Sequence, residues 1–123
     1  MTGAADEGSV PDCIFCRIAA GDAPADIVAS SDHSVAFRDL SPQAPVHVLV
    51  IPRRHITDAA ALAPDHAAQL ADLFVVARRV ADMEGVAERG YRLLFNVGED
   101  ASNSVPHLHL HVVGGRRLAW PPG

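Results

Sequence analysis

His107-Leu108-His109-Leu110-His111-Val112-Val113 alternates imidazole and aliphatic side chains. Successive side chains of a strand point to opposite faces. The pattern therefore predicts a strand over 107–113, with three histidines on one face and Leu108, Leu110 and Val112 packed beneath. Ser, Thr or Lys would serve a merely solvated face. A row of three imidazoles instead offers nucleophiles, proton carriers or metal ligands near neutral pH. Two chemistries fit: a three-histidine zinc centre with an open position for water, or a histidine nucleophile whose neighbours handle charge and protons. The interrupting leucines and the apolar surroundings separate the stretch from an expression tag.

The remainder of the chain narrows the setting. Its 123 residues, 49% apolar and 20% charged, are those of one soluble α+β domain with a single core. No apolar run approaches the ~20 residues of a membrane span, and the N-terminus has no basic-then-apolar leader. A cytoplasmic protein without membrane contact is expected. Residues 1–11 read as a loose, acidic tail and 12–123 as the domain. A net charge of −5 argues against a nucleic-acid partner. All ten basic residues are Arg, which excludes Schiff-base, lysyl-adenylate and P-loop chemistry. An anionic ligand would be neutralised locally by histidines and backbone N–H groups.

Periodicity and breakers predict a short helix over 13–20, stopped by Gly21, and a hairpin of 27–29 with 35–38 about residues 30–33. A strand over 46–51 lies between Pro45 and Pro52. A long helix over 64–84 has Leu70, Leu73, Phe74, Ala77 and Val80 as its apolar stripe and Asp72, Arg79 and Asp82 in solvent. Further strands follow at 91–97 and 107–113. Strands on both sides of one long helix predict an antiparallel sheet of about five strands with that helix on one face.

Three features bear on chemistry. The loop Gly98-Glu-Asp-Ala-Ser-Asn-Ser104 feeds the histidine strand and could present backbone N–H groups and the Ser104 hydroxyl to a phosphate. His47 lies in an aliphatic strand and shares a face with Leu49 and Ile51. Cys13-x-x-Cys16 reads as a redox pair, as two small buried hydrophobes, or as half of a zinc site. With no second cysteine pair, that zinc site would recruit His55 and His107.

Taken together, His107-x-His109-x-His111 with Asp39-Leu-Ser-Pro-Gln-Ala-Pro-Val-His47, Val50-Ile-Pro-Arg-Arg-His55, Asn96-Val-Gly98, Ser104-Val-Pro-His107 and the ending Gly114-Gly-Arg-Arg-Leu-Ala-Trp-Pro-Pro-Gly123 resembles the histidine-triad (HIT) superfamily, in its nucleotide-binding HINT branch. The similarity runs from about Asp12 to Gly123. It implies a homodimer that hydrolyses purine nucleoside 5′-phosphoramidates with no cofactor required for catalysis. His109 would attack the α-phosphorus to form a nucleotidyl-histidine. His111 and Ser104 would hold phosphate oxygens or the leaving group, and His47 would support the cluster. Asp39 would bind the ribose hydroxyls, and Ile14, Phe15, Ile18, Phe37, Leu40 and Leu49 would form the base pocket. Asn96, Asn103 and Val105 would complete the phosphate site. Arg38 would reach the base or leave the site entirely, and the Trp120 arm would reach the partner subunit's site. The resemblance extends to relatives holding structural zinc through Cys13, Cys16, His55 and His107. A dinucleoside polyphosphate hydrolase and a nucleotide-binding regulatory protein are the competing readings. Ala101-Ser-Asn103 departs from the Gly-Gly-Gln common in this branch.

Overall fold

The computed structural model describes residues 9–123; the predicted tail falls mostly outside them. Helix α1 (Ile14–Ala20) begins where Cys13 Sγ accepts the Cys16 amide at 3.3 Å. It ends at Gly21, whose φ of 82° is a left-handed cap that glycine adopts without strain. Strands β1 (Ile27–Ser30) and β2 (Ser34–Arg38) form the predicted hairpin, and β3 (Val46–Pro52) follows. The long helix α2 (Ala67–Met83) leads to β4 (Tyr91–Leu94) and β5 (Leu110–Gly114). The sheet is antiparallel throughout, in the order β1-β2-β3-β5-β4.

Strand alternation divides the core in two. Val48, Val50, Leu110 and Val112 face α2 and pack on Leu73, Val76, Ala77, Val80 and Ala81. Val35, Phe37, Leu49 and Ile51 face the other way, beneath Phe15, Cys16 and Ile18 of α1. This second face carries His47 and His111. Among the described residues, no helix is long and apolar enough to cross a membrane.

Four expectations need correction. The long helix starts at Ala67 rather than at Pro64, because Pro64–His66 forms a 3-10 turn tied by the Ala63 amide to His66 Nδ1. Phe74 does not join the core stripe; it is 40% exposed and meets Phe95 edge-on, while Val76 takes the buried position. Asp72 is not simply solvated, since it accepts from the hydroxyls of Ser31 and the fully buried Ser34. Both late strands are shorter than predicted. The β3–β5 ladder stops at Val50↔Leu110. Pro52 has no N–H with which to extend the ladder, and its carbonyl is taken by the His107 ring. Leu108 bonds instead to the Ile56 carbonyl. His107 and His109 therefore precede the strand, although Leu108 still packs on the α2 side.

Candidate active site

Obligate donors and acceptors fix the protons of the histidine cluster. The Gln43 amide donates to His47 Nδ1 at 3.0 Å, so the proton of a neutral His47 sits on Nε2. That Nε2–H donates to His111 Nδ1 at 2.9 Å and lies 3.4 Å from Asp39 Oδ2. His111 must then carry its proton on Nε2, a buried atom with no partner among the described residues. His109 is held differently: its Nδ1–H donates to the His107 carbonyl at 2.7 Å, which leaves the Nε2 lone pair for a ligand. The two rings lie side by side, centroids 5.0 Å apart. An Nε2 lone pair beside an unsatisfied Nε2–H is a nucleophile paired with a hydrogen-bond donor.

Burial favours the neutral forms of His111 and His47. His111 is pushed down to about 4 by desolvation, with the charges of His109 and His47 acting the same way and Asp39 opposing. His47 is lowered for the same first reason, with Asp39 again opposing. Neutral rings are what the proton arrangement requires.

The cysteines close a separate cluster. Cys13 Sγ is 3.2 Å from His107 Nδ1; Cys16 Sγ is 3.3 Å from His55 Nδ1 and 3.5 Å from His107 Nδ1. All four side chains are buried. The His107 Nε2–H donates to the Pro52 carbonyl at 2.9 Å, turning the Nδ1 lone pair toward the sulfurs. Tetrahedral zinc with bonds of about 2.0–2.3 Å needs ligand atoms roughly 3.3–3.8 Å apart, so this donor set and its outer hydrogen bond fit.

The three histidines thus do not form one centre. Among the described residues, the groups converging closely enough for a metal are Cys13, Cys16, His55 and His107, and separately Asp39, His47 and His111. His107 turns to the cysteines, His111 to His47, and His109 to the His107 carbonyl, which removes the three-histidine zinc reading.

The predicted ligand-binding residues divide. Phe15 packs edge-on against both Phe37 and His109, each at 5.3 Å, and with Ile18 and Leu49 forms a buried apolar wall beside the nucleophile. Val105 packs on that wall. Ile14 and Leu40 do not join it, being 44% and 99% exposed. Arg38 leaves the site: it points to the opposite sheet face and pairs with Glu84 and Asp26. Asn96 lines a cleft of about 240 Å³ with His47, His111 and Gln43. Asn103 Oδ1 is buried without a partner among the described residues, while Ser104 is exposed. Asp39 accepts the Ser41 amide at 2.8 Å with one oxygen and faces His47 with the other. Trp120 is 82% exposed and joins neither hydrophobic cluster of the described residues. Sequence reasoning missed Arg92 and Arg116 in the cleft wall. The position of Arg92, two before Leu94 on a strand edging the histidine face, was the available signal.

The layered α+β domain, with its histidine cluster beside an apolar wall, has counterparts among known proteins. The HIT domain model matches residues 20–118, and the chain belongs to the HIT domain family. It is 46% identical over 112 residues to a HIT-like protein of Synechococcus elongatus, covering 91% of this chain and 97% of that one. Among solved structures it is similar to a HIT family hydrolase from Legionella pneumophila, with TM-score 0.88, 45% identity, and coverage of 91% of this chain and all of that chain. A HIT family hydrolase from Clostridium thermocellum gives TM-score 0.87 and 38% identity, over 90% and 96% of the two chains.

Proposed function

We propose that the protein hydrolyses purine nucleoside 5′-phosphoramidates through a nucleotidyl-histidine at His109. The observation that carries this reading is the His109 ring: Nδ1–H is fixed on the His107 carbonyl, and Nε2 is free beside the unpartnered Nε2–H of His111. Similarity to HIT family hydrolases supports a hydrolytic outcome.

In the first step the His109 Nε2 lone pair bonds to the α-phosphorus and the phosphorus–nitrogen bond breaks. The departing nitrogen takes a proton from solvent and leaves as a neutral amine. The His107 carbonyl holds the Nδ1–H of the cationic adduct, and the His111 Nε2–H donates to a phosphoryl oxygen as charge gathers there. Water then adds to phosphorus, yields a proton to solvent and frees the ring, so the cycle consumes only water. The apolar wall of Phe15, Ile18, Phe37 and Leu49 takes the purine faces. Asp39 suits the ribose hydroxyls with the oxygen it turns toward the cluster.

Cys13, Cys16, His55 and His107 would hold a structural zinc. Bound there, the metal supplies a cross-link among α1, the segment after β3 and residue 107, and it leaves no open position for water. The active form in this reading is a homodimer to which the exposed Trp120 arm contributes.

Turnover of an adenosine phosphoramidate compared with a diadenosine polyphosphate tests the reading. Preference for the phosphoramidate, with a nucleotidyl group on His109 in the intact mass of rapidly quenched protein, is expected. Equal or better turnover of the polyphosphate would favour the dinucleoside polyphosphate hydrolase.

A further inference from the structure

The cleft beside His111 does not end at the histidines. Arg92, Arg116 and Leu118 line it, and the same three residues line a larger groove of about 700 Å³ that also takes in Arg89, Arg117 and Tyr91. The sheet register explains the continuity. Arg92 pairs across to Val113, which pairs with His47, so Arg92 stands on the histidine face two strand spacings from His47. Two spacings are about 10 Å, which an arginine side chain can largely cover.

Four of the chain's ten arginines thus gather in one groove, in a protein of net charge −5. No acidic residue lines it, and among the described residues none of the four forms an ion pair. The contacts they do make are to neutral carbonyls: Arg92 to Ala119 at 3.0 Å, and Arg116 to Gln43 at 3.0 Å and Arg117 at 3.1 Å. Each guanidinium has five N–H donors, so charge and donors remain for a ligand.

We infer that this groove receives an anionic group on the leaving amine, a few bonds beyond the scissile phosphorus–nitrogen bond. The inference rests on the phosphoramidate reading and names its substrate class: nucleoside phosphoramidates of acidic amines, whether carboxylate or phosphate bearing. Arg92 and Arg116 are its specificity-determining residues, since they border both the histidine cleft and the groove.

The test compares kcat/KM for the adenosine 5′-phosphoramidates of glutamate, of its uncharged diamide and of phosphoethanolamine. The protein should favour the anionic substrates over the diamide by about ten-fold, as expected for charge-assisted contacts. The better anionic substrate tells carboxylate from phosphate. Arg92→Gln and Arg116→Gln should each narrow the anionic-to-diamide ratio, and Arg92→Lys should restore part of it. No anionic preference, or a preference undiminished in both glutamine variants, overturns the inference. If none of the substrates turns over, the phosphoramidate reading fails. Binding of the glutamate and diamide conjugates to His109→Ala then decides the groove by itself: tighter binding of glutamate supports it and equal affinity overturns it.

Discussion

At the scale of single residues the site is a set of proton assignments. His109 has one nitrogen committed to a carbonyl and one released, so His109→Ala should lower phosphoramidate turnover by at least about a thousand-fold while AMP still binds. Calorimetric titration beside steady-state rates checks both halves; near-normal turnover would remove His109 as nucleophile. The neutral rings also make a pH prediction. His111 is held down to about 4 from 6.5, and His47 is shifted in the same direction. Between those limits the unfolded chain takes up protons that the folded chain refuses. Folding stability contributed by these rings is therefore complete above pH 6.5 and falls as pH drops toward 4. Urea midpoints between pH 7.5 and 4.5 should decline, and the decline should lessen in His111→Asn. A flat profile would mean that the rings are not neutral in the fold.

At the scale of elements, one carboxylate ties α2 to the β1–β2 turn through two hydroxyls. Asp72 accepts from Ser31 and Ser34, and Ser34 is fully buried. Asp72→Ala should cost about 1–3 kcal/mol by leaving that hydroxyl unpaired, whereas Ser34→Ala should cost less because donor and desolvation penalty leave together. Denaturant unfolding of the two variants orders them. This contact also shows where sequence reading stopped. Alternation in Val46–Pro52 and the 3.6-residue period of α2 report which face is buried, so the layers and the sheet were legible. Hydrogen bonds between residues 38 or 41 positions apart leave no periodic trace, so Asp72 read as solvated. Arg38 is similar: adjacency to Asp39 suggested the nucleotide, yet strand alternation sends neighbouring side chains to opposite faces. The triad motif was visible, but its division between a cysteine cluster and a His47 cluster depends on where the β3–β5 ladder ends.

At the scale of the molecule, the exposed apolar side chains Phe74, Val75, Leu40 and Trp120 suit the proposed dimer. Sedimentation should give twice the chain mass at micromolar concentration, and a monomer there would remove the partner-arm reading. For the metal set, untagged protein should hold about one zinc per chain. Chelation should lower the melting temperature; a metal-free preparation melting at the same temperature would refute the site. Residue 107 belongs to both clusters at once, giving its ring to the cysteines and its main-chain oxygen to His109. Anyone preparing a thiol-free version for fluorescent labelling should therefore expect a kinetic penalty from substitutions lying outside the substrate cleft. Replacing Cys13 and Cys16 with small residues leaves the imidazole at position 107 held only through Nε2–H on the Pro52 carbonyl, and the aim of the reactive nitrogen drifts with it. A side chain at position 13 that still donates to that imidazole is the substitution to choose.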